Sequence, residues 1–146
     1  VSSSRLYPSA PIPGVGAVVW RGGQVLLVRR ANPPRQGSWT LPGGAQDLGE
    51  TVFEAARREV LEETGVECEV TDLAAVVDII DRDEDGQVRY HYTIIDVTAE
   101  WRGGEAVAGD DASDVAWASP EEFDAYGLDD KTRRVIALAS VKRRTI

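Results

Sequence analysis

Two apolar, β-rich runs at residues 14–20 and 24–30 flank Arg21-Gly22-Gly23, a pattern that predicts a β-hairpin. Residues 31–38 hold two prolines and a glycine and are expected to be irregular and exposed, and residues 39–42 form a short strand feeding the pair Gly43-Gly44, expected to be a loop whose backbone turns sharply. The next period is helical. Val52, Phe53, Ala56 and Val60 fall on one stripe, Thr51 with Glu54 makes a capping box, and Gly65 supplies a C-terminal stop, so a helix is expected over residues 52–64. Residues 68–80 then read as one long or broken strand. The polar turn 81–86 ends in the hairpin signal Asp85-Gly86, and residues 87–99 return as the partner strand. After a loop through Gly103-Gly104 and Gly109, a last short strand is expected at 115–118, a short helix opened by Pro120 at 120–126, and a C-terminal helix at 130–142. Periodicity alone gives strands around two or three helices, which is α/β or α+β.

At 146 residues and 42% hydrophobic content, one domain with a real core is expected over residues 14–146, after a Ser- and Pro-rich flexible lead-in at 1–13. The chain has no methionine, so further residues are expected before Val1. The formal net charge is -9, without the Lys/Arg cluster of a duplex nucleic-acid binder. The short tail Lys142-Arg143-Arg144 reads as a charge complement to a helix C-terminus. Apolar runs such as Ala74-Ala75-Val76-Val77 are too short to span a bilayer, so a soluble protein without membrane partners is expected. The lone Cys68 excludes an intrachain disulfide. Between Glu67 and Glu69 it reads as a buried strand residue, and a cytoplasmic setting fits.

The chemistry is concentrated between Gly44 and Val66. Gly44, five residues, Glu50, seven residues, then Arg58-Glu59-Val60, Leu61, Glu62-Glu63, Thr64 and Gly65-Val66 make a string of seven fixed and two apolar positions. At ~7% usage per fixed position, chance would produce it about once in 10⁸ windows. On a helix, Glu59, Glu62 and Glu63 are related by i, i+3 and i+4 steps and crowd like charges onto one face. A hard divalent cation relieves that repulsion, and Mg²⁺ or Mn²⁺ prefers such oxygen donors. Glu50, just ahead of the helix, is placed to join the metal cluster or support it, and Gly44 can offer a carbonyl ligand. Arg58 is the one fixed cation in the string and stands four residues from both Glu54 and Glu62. An acidic chain cannot attract an anionic ligand by long-range charge, so metal ions would have to bridge the two.

This string is the Nudix box, and the chain resembles the Nudix hydrolases over roughly residues 14–140. The resemblance implies a mixed β-sheet sandwiched between α-helices and metal-dependent cleavage of a nucleoside diphosphate linked to some group X. It implies that Glu59 and Glu63 are the most regular metal ligands, that Glu62 serves a second ion or acts as base, and that Arg58 orients the carboxylates. Some members recruit a loop acid as base, for which Glu105, Asp110 and Asp111 are the candidates here. The runs around the hairpin, the stretch Gly37 to Gly44 and Tyr90-His91-Tyr92 look like the short bacterial branch of ADP-ribose pyrophosphatase-like members. The resemblance therefore implies ADP-ribose or a related nucleotide sugar as substrate, ahead of a (d)NTP pyrophosphohydrolase of the sanitising type, a dinucleoside polyphosphate hydrolase, or a non-catalytic nucleotide-binding module. A homodimer is compatible with it.

Arg29, Arg30 and Arg35 could offset phosphate charge, although strand alternation sends Arg29 and Arg30 to opposite faces. Trp39, Tyr90, Tyr92 and Trp117 could stack on a base or serve the core. His91, the single histidine, reads either as a satisfied structural residue or as a phosphate or ribose contact.

Overall fold

The computed structural model describes residues 5–33 and 35–144. The start of the lead-in, residues 1–4, lies outside the described residues, as do 145–146. Seven strands, β1 (Ile12–Arg21), β2 (Gln24–Arg30), β3 (Trp39–Thr40), β4 (Gly43–Ala45), β5 (Glu67–Arg82), β6 (Val88–Gly103) and β7 (Ala112–Ala118), are joined by helices α1 (Val52–Thr64) and α2 (Asp130–Arg144). The sheet runs β3-β2-β1-β6-β5, with β4 on β1 and β7 on β2. It is mixed, because β1 and β6 are parallel while the other pairs are antiparallel.

Alternation along β1 builds the two cores. Val15, Ala17 and Val19 point into a cluster with Ala55, Ala56 and Val60 of α1, while Val18 and Trp20 point into another with Val135, Ile136 and Ala139 of α2. β2 repeats the division, with Leu26 on the α1 side and Val25 and Leu27 on the α2 side. Each fully buried valine or leucine among them contributes roughly 1.5–3 kcal/mol. The sheet is thus covered on both faces by helix, the layer order expected from the resemblance. No helix among the described residues is long and apolar enough to cross a membrane.

The hairpin forms with Trp20 opposite Val25, and α1 occupies residues 52–64 as expected. Its capping box closes in both directions, Glu54 N–H to Thr51 Oγ1 at 3.1 Å and Thr51 N–H to Glu54 Oε1 at 2.9 Å, and Gly65 ends it at φ 71°. Four expectations need correction. Gly43-Gly44 is strand β4, hydrogen-bonded to β1, and not a turning loop. The helix expected at 120–126 is only a 3-10 turn at Pro120–Glu122, because Gly127 at φ 65° redirects the chain so that Phe123 and Leu128 enter the α2-side core. Phe53 is 39% exposed, and the buried stripe of α1 is Ala55, Ala56, Val60 and Thr64, small enough for the helix to lie close on the sheet. Strand β1 begins at Ile12, opposite Tyr92, two residues earlier than the hydrophobic run indicated.

Candidate active site

The box folds into one corner, where α1 lies beside β4. Arg58 is the hub. Its Nε donates to Glu50 Oε2 at 2.6 Å and its Nη2 to Glu50 Oε1 at 2.9 Å, a bidentate fork. Nη1 donates to Glu62 Oε1 at 2.7 Å and lies 3.4 Å from Glu59 Oε2, and Nη2 also reaches the Ala45 carbonyl at 3.0 Å. One guanidinium therefore ties the loop before the helix to three carboxylates of the box. The i, i+4 pair with Glu62 and the fork to Glu50 coexist on the one guanidinium, whereas Glu54 is engaged in the cap. The Arg58 fork and the Asp47 N–H at 2.8 Å hold the Glu50 carboxyl below the usual carboxylate range.

Glu59 and Glu63 follow Ala55 and Ala56 around α1 and point partly inward, toward β4. The Glu59 side chain is only 16% exposed. Burial, with Glu62 nearby, raises its carboxyl despite Arg58. Glu63 lies against β4, with the Gly43 N–H 3.4 Å from its Oε2. Burial first, then the charges of Glu59 and Asp111, push it up to about 8, while Gly43 N–H and Arg30 act the other way. The glycine at 44 is a close-approach residue, since a Cβ there would collide with the Glu59 carboxylate.

A divalent ion fits this donor set chemically. The oxygens are hard, and two of the carboxyls are buried beyond what one arginine compensates. As they stand, no three acidic, His or Cys side chains among the described residues converge to grip one ion, because Glu62 is turned to Arg58.

The remaining candidates separate. Arg30, at the end of β2, lies near enough to Glu63 to act on its charge. Arg29 is committed to the Gly37 carbonyl at 3.1 Å, and Arg35 to Asp129 at 3.0 Å. Tyr90 stacks on Tyr92 at 6.4 Å between ring centroids, and His91 lines a small cavity of about 200 Å³ with residues of the lead-in, at the far end of β6. Of the loop acids, Asp111 lies near enough for its charge to act on Glu63, and Asn32 Nδ2 donates to its Oδ1 at 3.0 Å. Asp110 instead donates its N–H to the Glu62 carbonyl at 3.3 Å. Trp117 packs against the α1-side core, and Trp39 sets its ring edge-on to Tyr126. Cys68 is buried, with its thiol pushed up to about 11.

Sequence reasoning missed Asp47, 3.5 Å from Arg58, and the Ala45 carbonyl, neither of which carries a composition signal. It also missed Asp96, a single acid inside the apolar run Ile94-Ile95-Asp96-Val97, which was a visible signal.

The family model of the NUDIX domain matches residues 10–139. The chain belongs to the Nudix hydrolase family. It is 40% identical over 124 residues to an ADP-ribose pyrophosphatase of Methanocaldococcus jannaschii, covering 85% of this chain and 68% of that one. Among solved structures, a MutT Nudix hydrolase from Burkholderia pseudomallei is 31% identical with a TM-score of 0.71, covering 89% of this chain and 98% of that chain. The Nudix domain of Shewanella oneidensis NrtR, solved with ADP ribose, is 26% identical with a TM-score of 0.71, over 92% and 89% of the two chains. Nudix hydrolases generally use divalent metal ions.

Proposed function

We propose that this Nudix hydrolase cleaves the pyrophosphate of ADP-ribose, water adding across the P–O–P bridge to give AMP and ribose 5-phosphate. The observation that carries the reaction class is the complete box, folded with Glu59 and Glu63 half-buried beside the β4 glycines and Arg58 fixing Glu50 and Glu62. The substrate is supported by the Methanocaldococcus jannaschii relative and by the NrtR domain holding ADP ribose.

Glu59, Glu63, Glu62 and the Gly44 carbonyl would hold Mg²⁺ or Mn²⁺. Such an ion neutralises phosphate charge and acidifies a bound water. The chain's own residues set the geometry. Arg58 fixes the Glu50 carboxylate and offsets the repulsion around Glu59, and it also engages Glu62, which would have to turn from Arg58 to join an ion. The missing side chain at residue 44 leaves room for the Glu59 carboxylate. Arg30 supplies positive charge beside Glu63, where an anionic diphosphate would meet the charges of Glu59 and Asp111 as well.

The test is product identification with Mg²⁺ and separately Mn²⁺, over ADP-ribose, other nucleotide sugars, dinucleoside polyphosphates and common and oxidised (d)NTPs. AMP with ribose 5-phosphate as the fastest products supports the proposal. Faster pyrophosphate release from a triphosphate would replace it with the sanitising activity, and nucleotide binding without turnover would replace it with a binding module.

A further inference from the structure

On the sheet face away from α1, the carboxyl of Asp96 lies over the bare backbone of Gly16, its partner on the parallel neighbour β1; a Cβ at Gly16 would collide with Asp96 Oδ1. Asp96 is 5% exposed. Among the described residues no hydrogen bond reaches its carboxyl and no cation faces it, and burial alone lifts it to about 6. Buried carboxyls are normally paired, because an unpartnered one loses its hydration without replacement. Elsewhere on this face the polar groups are matched, as where Trp20 Nε1 donates to Thr98 Oγ1 at 2.9 Å.

The carboxyl is not sealed in. No side-chain oxygen or nitrogen of the described residues is both closed to solvent and without a partner, so the unpaired oxygens of Asp96 must reach the outside through a narrow opening. An acceptor that is buried, unpaired and reachable is suited to an N–H donor brought by a ligand. Its location fits the substrate. Gly16 has Asp96 as neighbour on one side and Gly43 on the other, and the Gly43 N–H faces Glu63. Two strand spacings put Asp96 about 10 Å from the Gly43 backbone, the reach from a diphosphate to the far edge of its nucleoside. Ala75, opposite Asp96 on β5, and Leu41, one residue before Pro42, are partly buried apolar groups on this same side.

We propose that Asp96 is a specificity residue that reads the base of the substrate, accepting a hydrogen bond from the exocyclic amine of adenine and so selecting amino- over oxo-purines. This rests on the reading of the substrate as an adenine nucleotide.

The experiment is calorimetric binding of AMP and of IMP to the Mg²⁺-loaded protein, which requires no turnover. The wild type should bind AMP about ten- to hundredfold more tightly than IMP, the range of one hydrogen bond to a charged group. Asp96→Ala should erase the ratio. Asp96→Asn, nearly isosteric and able to donate to an oxo group, should level or invert it, and it carries the test if the alanine variant does not fold. A merely structural role would lower the melting temperature and leave the ratio intact. Equal binding of AMP and IMP by the wild type, no binding of AMP, or an unchanged ratio in folded variants would overturn the assignment. Loss of the proposed ADP-ribose hydrolysis with the AMP preference intact would instead refute the substrate reading and leave Asp96 as a base reader.

Discussion

Replacing Glu63 by Gln should stabilise the metal-free protein at alkaline pH. The carboxyl titrates at its ordinary 4.5 in the unfolded chain and at about 8 in the folded one, chiefly because it is buried against β4. Between those values the folded state keeps a proton that the unfolded state has lost. Stability contributed by this group therefore falls as pH rises from about 4.5 and levels off above about 8. A gap of about 3.5 at ~1.4 kcal/mol each sets a ceiling near 5 kcal/mol, and water entry and side-chain relaxation reduce it to about 2–3 kcal/mol. For a chain of this size that is about 5–10 °C in melting temperature. The assay is thermal unfolding followed by circular dichroism in EDTA, from pH 5 to pH 9. Wild type and Glu63→Gln should melt together near pH 5 and diverge with rising pH, the variant being the more stable. Distant titrating groups such as Asp96 are common to both proteins and drop out of the difference to first order, while Glu59, whose charge acts on Glu63, is relieved in the variant and widens the divergence in the same direction. Melting curves that stay parallel across the whole range would refute the claim that Glu63 is held in a site hostile to its charge.

Three further outcomes follow from the same geometry. Gly44→Ala should cut turnover by at least about a hundredfold, because the new methyl displaces the Glu59 carboxylate by of order 1 Å, with a melting temperature within a few degrees of wild type; near-normal kcat would contradict the close-approach role. Arg58→Lys should lower both kcat and stability, the latter by about 2–4 kcal/mol, since an ammonium cannot span Glu50 and Glu62 with the same fork; urea unfolding and steady-state kinetics measure the two losses. Mg²⁺ at ten times its Kd should raise stability by ~1.4 kcal/mol, and that shift should shrink in Glu59→Gln, as read by melting with and without the ion.

Much of the fold was legible because its signals are local. The capping box at Thr51 and the stop at Gly65 fix α1, and Gly22-Gly23 and Asp85-Gly86 fix two hairpins. The errors arise where tertiary packing decides. Residues 120–126 satisfy helix-start rules but are drawn into the α2-side core by Phe123 and Leu128, and Gly43-Gly44 looks like a turn until the neighbouring backbone of β1 is present to pair with it. In the site, spacing on one helix placed Glu59 and Glu63 together beside β4, but did not show that Glu62 turns aside to Arg58. That Glu50 grips Arg58, that Arg30 and not Arg29 or Arg35 lies near Glu63, and that Asp96 lies unpaired over Gly16 depend on which strands meet, and a linear pattern does not specify that.

The proposed activity is metal-dependent pyrophosphate cleavage by the box carboxylates. Its most direct test is quantifying AMP and ribose 5-phosphate released from ADP-ribose by wild type, Glu59→Gln and Glu63→Gln, each with Mg²⁺ and with EDTA. Wild type with Mg²⁺ should release the two products in equal amounts and none with EDTA, and kcat should fall at least about a hundredfold in both variants while they remain folded. Undiminished release by both variants, or release that persists in EDTA, would contradict it.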